Sequence, residues 1–223
     1  MPRTLSCLAL VLALLAVGRA EATVAIQFDV AALTTTSDVV AVARVESRSA
    51  QWVGGRIVTD FAVRVTLPVA GSIDEGAQLT VRTAGGRVGE LAQVVHGVPG
   101  MVVGEDVLLF LERGGQPGVL RVVGMAQGRF AMSRDGKGEV WVQQDLHGLT
   151  LAKVTGEDVE GKKKTTLLRD VRPIRMKLRR LLTEVDLALT RVDEKSHPAV
   201  RRKLGPGLKG AYDFTDEFGG VAR

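Results

Sequence analysis

Cysteine is almost absent from this sequence. The chain of 223 residues contains one, Cys7, which lies in an apolar run near the N-terminus, residues 5–17. If this run is removed during export, residues 23–223 contain no cysteine, so the mature chain can form no internal disulfide and has no cysteine nucleophile. A chain of about 200 residues can bury a sufficient core without disulfides.

The apolar run has the features of a secretory signal peptide. It follows Arg3, spans 13 residues and is followed by the small-residue pattern Ala20-Glu21-Ala22. A transmembrane helix needs about 20 apolar residues, so the run is too short for a membrane anchor. We therefore predict a signal peptide at residues 1–22, cleaved near Ala22, and a periplasmic or extracellular mature protein.

Histidine is also scarce, and its spacing gives no local metal motif. His96, His147 and His197 are about 50 residues apart, and no H-x-x-x-H or H-E-x-x-H pattern occurs. The sequence also lacks a P-loop, a complete dinucleotide fingerprint and the G-x-S-x-G context of a serine nucleophile. We therefore predict no metal, no cofactor and no catalytic residue, and we interpret the chain as a protein that is not an enzyme.

Carboxylates are plentiful and leave one enzymatic alternative open. Glu105 and Asp106 are adjacent in a segment that is predicted to be a strand. Adjacent residues of a strand point to opposite faces, so we expect these two carboxylates not to converge on one site. A hydrolase assembled from carboxylates that are distant in the sequence remains as an alternative function.

Charge divides the chain into an acidic body and a basic C-terminal arm. Residues 23–161 contain 12 basic and 16 acidic residues, so their net charge is −4, whereas residues 162–223 contain 16 and 8, a net charge of +8. Such asymmetry suggests a basic arm that can make peripheral contact with an anionic envelope surface. The alternative is an ordinary solvated helix face. The acidic body, poor in aromatic residues, argues against nucleic acid as a partner.

Hydrophobic patterning predicts that the body, residues 23–157, is a small β-barrel. Residues 57–65 place apolar side chains on one face and Asp60 and Arg64 on the other, the period of a half-buried strand. Residues 105–112 are apolar on both faces, which predicts the most buried strand. Glycine-rich turns such as Gly54-Gly55 separate the strands, and no long helix interrupts them. The other strands are predicted at residues 38–45, 78–83, 119–123, 128–133 and 139–144.

One long glycine-rich insertion, residues 86–104, separates two of the predicted strands. Long ordered loops are often functional, although such a segment can also be an Ω-loop that packs over one end of a barrel. We predict that the binding surface is this loop, the hairpin around Trp52, or both. The candidate partner-binding residues are Trp52, Arg56, Arg87 and His96.

The C-terminal arm is predicted as a linker and helix, residues 158–192, followed by a flexible basic tail, residues 193–223. Apolar residues recur at helical spacing across residues 173–190, and Pro173 suits the first turn of a helix. The apolar stripe favours docking on the barrel or on a partner, with membrane-surface contact as the alternative. The tail lacks periodicity, which predicts disorder, but it holds a candidate docking motif of three aromatic residues, Tyr212, Phe214 and Phe218.

Four short segments carry a family resemblance. Residues 37–45 (SDVVAVARV), 56–59 (RIVT), 85–89 (GGRVG) and 103–111 (VGEDVLLFL) resemble a group of uncharacterised exported bacterial proteins. Their order is similar, more distantly, to the netrin-like module, which includes the tissue inhibitors of metalloproteinases. This resemblance, over residues 33–133, implies an oligonucleotide/oligosaccharide-binding (OB) barrel with a packed helix.

The mechanism of those inhibitors does not transfer to this chain. They chelate the protease zinc through an N-terminal cysteine and are held together by disulfides, and the mature chain predicted here contains no cysteine. We therefore expect a mostly β, OB-like barrel, one amphipathic helix and a flexible tail. The predicted function is that of an exported, non-enzymatic binding module whose partner is another exported protein, in an oligomeric state that stays open. The alternatives are a secreted hydrolase and an envelope-surface protein attached through its basic C-terminal arm.

Overall fold

The computed structural model describes residues 23–157 and 162–191. Residues 1–22, 158–161 and 192–223, which include the predicted signal peptide and tail, lie outside the described residues. The two helices are α1 (Val30–Thr36) and α2 (Leu178–Arg191). The strands are β1 (Thr23–Ile26), β2 (Val39–Val53), β3 (Arg56–Ala70), β4 (Gln78–Ala84), β5 (Gly86–Val88), β6 (Leu91–Gln93), β7 (Asp106–Arg113), β8 (Val119–Val122), β9 (Arg129–Arg134), β10 (Val140–Gln144), β11 (Leu149–Glu157), β12 (Lys163–Leu167) and β13 (Arg175–Lys177).

Five strands form a partly closed barrel in the order β2-β3-β4-β8-β7, with β7 returning to β2. All neighbours are antiparallel except β4 and β8, which are parallel. Closure is partial because β7 pairs with β8 only near its C-terminal end and with β9 near its N-terminal end. This arrangement confirms the predicted mostly β, OB-like barrel, and the sheet continues outward through β9, β10 and β13.

The strand β7 is buried on both faces, as the sequence predicts. Val107, Leu109 and Leu111 face the barrel interior, where they pack with the apolar face of β3. The alternate residues Leu108 and Phe110 face the opposite side of the sheet. All five side chains are fully buried, because this strand separates two apolar layers instead of covering one.

The second apolar layer lies between the outer face of the sheet and the two helices. Helix α2 contributes its apolar stripe, which includes Leu181 and Val185, and α1 contributes Val30 and Leu33. Asp29 caps α1, because its carboxylate accepts a hydrogen bond from the Ala32 amide at 2.7 Å. The docking predicted for the amphipathic helix is confirmed. Its stripe is part of the core and therefore does not face a membrane surface.

The start of α2 corrects the sequence prediction. The helix begins at Leu178, not near residue 173, because residues 175–177 form β13 and pair with β10. The buried Gln144 explains the extended backbone: its side-chain oxygen accepts a hydrogen bond from the Ile174 amide at 3.0 Å, and its Nε2 donates to the Gln127 carbonyl at 2.6 Å. Pro173 therefore precedes a strand and does not begin the helix.

Several elements were not predicted. The insertion 86–104 contains a small hairpin, β5–β6, and α1 precedes the barrel. The predicted linker also overlaps β12, which pairs with β11 in a three-stranded sheet of order β1-β11-β12. Neither helix of the described chain is both long enough and apolar enough to cross a membrane.

Candidate functional site

The hairpin of β2 and β3 extends well beyond the barrel. Its two-residue turn, Gly54-Gly55, has φ values of 56° and 76°, a backbone that glycine adopts without strain. The pairing continues to this turn, with Val53 opposite Arg56 and Trp52 opposite Ile57. The predicted turn is confirmed, and it places Trp52 at the outer end of the hairpin.

The small hairpin β5–β6 lies across one face of this extension. Ile57 is held on both sides, because its amide donates to the Gln93 side-chain oxygen at 2.9 Å and its carbonyl accepts from the Gly85 amide at 2.8 Å. Thr59 donates its hydroxyl to the Gly85 carbonyl at 2.8 Å. Ile57 is consequently buried although it lies near the hairpin tip. The insertion is thus an ordered layer on the hairpin.

Large apolar side chains remain exposed around these two hairpins. Trp52 is 51% exposed on β2, and Leu91 and Val94 are 62% and 78% exposed on and after β6. Exposed apolar side chains commonly mark a surface that binds another protein. These residues belong to the two segments that the sequence suggests for binding, the Trp52 hairpin and the 86–104 insertion.

The predicted binding residues lie on different faces of the hairpins. Cross-strand pairs share a face, so Trp52 lies on the face of Ile57, whereas Arg56 lies with Val53 on the opposite face. Arg87 is exposed on β5, and its Nε donates to the Gly89 carbonyl at 3.2 Å. The structure thus brings Arg87 near the hairpin of Trp52.

His96 lies elsewhere, in the chain that leaves β6 for the barrel. A Cβ added to Gly148 would lie 3.5 Å from the Nδ1 atom of His96, so His96 packs beside the turn before β11. The next residue, Gly97, accepts a hydrogen bond from the Ala126 amide at 3.0 Å, which ties this part of the loop to the barrel.

One edge of β2 is left without a partner strand. Its N-terminal half pairs with β7 as far as Arg44, and Val45 then exchanges hydrogen bonds of 2.8 and 2.9 Å with Gly104 and Glu105. In the described part of the chain, no strand pairs with this edge at residues 47–53. An unpaired strand edge offers backbone donors and acceptors that another extended chain can use. We refer to residues 47–53 as the free edge.

A groove of about 560 Å³ lies where the free edge begins. The segment that bonds to Val45 forms one wall of the groove through Val102 and Val103, which are both at least half exposed. The other walls combine apolar and charged side chains: Arg44, Glu105, Asp106, Met132, Ser133, Arg134 and Val140.

Each of the two carboxylates of the groove forms an ion pair with an arginine. Arg129 donates to Glu105 at 2.6 Å, and Arg44 lies 3.4 Å from Asp106, its neighbour across the β2–β7 ladder. Burial raises the pKa of Asp106, and repulsion from Glu105 adds to this shift, while attraction by Arg44 opposes it. Glu105 and Asp106 thus occupy different electrostatic environments within one groove.

The structure differs from the sequence prediction at Glu105, which lies just before β7 and not within the strand. Both residues line the groove, because Glu105 precedes β7 and belongs to the turn after Val102, so strand alternation does not separate them. The Glu105 carboxylate accepts a hydrogen bond from the Val102 amide at 2.7 Å. The sequence offered no signal for the groove, since Arg44, Asp106 and Met132 come together only through strand pairing.

Neither the arrangement of potential metal ligands nor similarity to known proteins identifies a function for this chain. In the described residues, no group of three or more His, Cys, Asp or Glu side chains is placed to hold a metal ion. The chain matches no protein-family model, no curated protein and no solved structure.

Proposed function

We propose that this chain is an exported, non-enzymatic binding module that takes up an extended segment of another exported protein along the free edge of β2. The observation that carries this proposal is an unpaired strand edge that ends at the half-exposed Trp52. Addition of a strand provides backbone hydrogen bonds, and neighbouring side-chain pockets provide specificity. The groove with Val102 and Val103 lies where the edge begins, and Trp52 lies where it ends.

The netrin-like resemblance is compatible with this function, but the basis of binding differs. The inhibitors of that group depend on a cysteine and disulfides, which the predicted mature chain lacks. A strand edge requires neither, because its hydrogen-bonding groups belong to the backbone. We therefore expect the partner to be recognised as an extended chain and not through a metal ion.

The test is quantitative capture of exported proteins by the mature chain, followed by titration with a synthetic peptide from the captured protein. We expect Trp52→Ser to weaken binding of that peptide at least about tenfold, a typical loss for an aromatic anchor. Leu187→Ser is the matched control, because Leu187 is a large apolar residue on α2 that is 49% exposed, nearly as much as Trp52. Equal binding by the wild type and both variants would show that the hairpin is not the binding surface.

A hydrolase remains a second candidate, because Glu105 and Asp106 line one groove and burial raises the pKa of Asp106. A carboxyl group whose pKa is raised by its surroundings can act as a general acid beside a second carboxylate. The test is turnover of chromogenic glycoside and ester substrates by the mature protein. Turnover lost in both Asp106→Asn and Glu105→Gln would establish this function, and no turnover, or turnover unchanged in these variants, would remove it.

A further inference from the structure

The three-stranded sheet of β1, β11 and β12 carries an apolar face whose larger side chains are exposed. Strand pairing aligns Ile26, Ala152 and Leu167 across the three strands; Ala152, between the two larger side chains, is buried, and Leu151 is buried on the other face. On the first face, Ile26 is 40% exposed and Leu167 is 59% exposed, and Val24 and Val154 are also exposed. We call this surface, formed by Val24, Ile26, Val154 and Leu167, the outer apolar face.

One basic residue, Lys163, is exposed on the same face of β12 as Leu167, opposite Glu157 of β11. Lys164 and Lys153 are also exposed, but alternation places them on the other face of the sheet. In the described residues β12 is also an edge strand, because its sheet ends there. The surface therefore combines exposed apolar side chains, positive charge and a strand edge, and it fits a segment that is both apolar and acidic.

The C-terminal part of the chain contains such a segment. The whole sequence has nine aromatic residues, namely two Trp, one Tyr and six Phe, and three of them, Tyr212, Phe214 and Phe218, fall within residues 212–218. The same seven residues include Asp213, Asp216 and Glu217 and no basic residue. Segments that stay free in solution are normally poor in aromatic residues, so this concentration indicates a docking sequence.

We propose that residues 212–218 of this chain cover the outer apolar face, with the aromatic side chains on Ile26 and Leu167 and Asp216 near Lys163. Alternation in an extended segment would place Tyr212, Phe214 and Phe218 on one side. This contact is independent of the free edge of β2, so it goes beyond the proposed function.

The connection is long enough for this contact. Helix α2 ends at Arg191, so residues 192–211 join it to the docking segment. Twenty residues span up to roughly 65 to 70 Å when extended. A domain of about 200 residues has a radius of gyration of about 16 Å and is roughly 45 Å across, so the segment can reach any surface of its own molecule.

The absence of cysteine from the mature chain makes a direct test practical. Thr165→Cys lies on β12 on the outer apolar face, and Gly220→Cys follows residues 212–218 on the side of Phe214 and Phe218. We expect mild oxidation of the full mature chain with both substitutions to give an intramolecular disulfide at least about tenfold faster than in a control with Thr183→Cys and Gly220→Cys, since the local concentration is higher. Thr183 is an exposed threonine on α2, which makes the two cysteine pairs comparable.

Charge variants separate specific docking from nonspecific proximity. Lys163→Glu should slow the disulfide, and adding Asp216→Lys should restore it, because the charges again have opposite signs. Equal rates in the two cysteine pairs would overturn the proposal. A disulfide-linked dimer would instead assign the face to a second copy of the chain. Protection of β12 amides from hydrogen exchange only when anionic phosphatidylglycerol vesicles are added would assign it to a membrane surface, and either result also overturns the proposal.

Discussion

At the scale of single residues, Asp60 and Arg82 form the best-defined ion pair on the barrel. Two hydrogen bonds of 2.6 and 2.7 Å join the carboxylate to the guanidinium, and both side chains are 16% exposed. Gln51 donates to the same carboxylate at 2.7 Å. The hydrogen bonds from Arg82, followed by that from Gln51, lower the pKa of Asp60 and outweigh the opposite effect of burial.

We expect Asp60→Asn to destabilise the protein by about 2 kcal/mol at pH 7, because it leaves Arg82 partly buried without its partner. The pKa of Asp60 is lower in the folded than in the unfolded state, so the pair stabilises the fold above the unfolded pKa of about 4. This contribution is lost as the pH falls through the folded-state pKa. Urea denaturation at pH 7 and pH 3 checks the sign: wild type should lose more stability on acidification than Asp60→Asn.

Asp106 provides the matched control, because its pKa is raised in the folded protein whereas that of Asp60 is lowered. Burial raises the pKa of Asp106, and Arg44, which is 3.4 Å away and partly solvated, compensates only in part. Burial of the charged form therefore costs stability at neutral pH, and protonation relieves this cost as the pH falls. Asp106→Asn should accordingly leave the stability at pH 7 unchanged or slightly higher. A loss equal to that of Asp60→Asn would contradict this assignment.

At the scale of elements, the close approach of β5 to the long hairpin depends on one glycine. Gly86 has a φ of 139°, and a Cβ added there would collide with the hydroxyl of Thr59 and lie 3.2 Å from the Cβ of Ala50. Gly89, at the tip of the β5–β6 hairpin, also has a positive φ, 59°, but a Cβ there would meet open space. A substitution at Gly89 therefore tests backbone strain alone, whereas a substitution at Gly86 adds a steric clash.

We expect Gly89→Ala to cost about 1 kcal/mol, the usual penalty of a left-handed backbone for an L-residue. Gly86→Ala should cost at least about twice as much, because it must also move β5 away from Thr59 and expose Ile57. Hydrogen exchange of the Ile57 amide, which bonds to Gln93, should rise only in Gly86→Ala. Similar stability and exchange in the two variants would mean that β5 can move without affecting the hairpin.

The sequence predicted those elements whose pattern is local. The alternation of residues 57–65 and the run of β7 that is apolar on both faces depend only on consecutive residues. Both strands form as predicted. Helix α1 spans Val30–Thr36 and includes three threonines, which favour strands, so its stability comes from packing of Leu33 and from the Asp29 cap. Strand β12 begins with Lys163-Lys164, and such a polar segment carries no strand pattern of its own.

At the scale of the whole molecule, the sequence predicted the fold class but not which strands pair with which. Closure requires the parallel pairing of β4 with β8, which joins Thr80 to Val119 and Val81 to Leu120. No local pattern encodes such a contact between distant segments, and the groove beside Arg44 depends on contacts of the same kind. Length, glycine frequency and strand spacing indicated a barrel, but they could not indicate which surfaces the barrel would leave bare.

The role of α2 leads to a prediction about cooperativity. Its buried residue Leu181 belongs to the same apolar layer as Leu108 and Phe110 of the barrel strand β7, so helix and barrel should unfold as one unit. Leu181→Ala should cost about 2 to 5 kcal/mol, whereas Leu187→Ala, at an exposed position of the same helix, should cost less than about 0.5 kcal/mol.

The two tryptophans allow this cooperativity to be measured from opposite parts of the molecule. Trp141 lies beside β13, where the Arg175 guanidinium stacks 4.6 Å from its ring centre, and Trp52 lies at the end of the long hairpin. In urea, fluorescence of Trp52→Phe and Trp141→Phe proteins should report one shared midpoint, and Leu181→Ala should lower it equally in both backgrounds. A lower midpoint at Trp141 alone would mean that α2 and its neighbouring strands unfold separately, and that the barrel is stable without the helix that covers it.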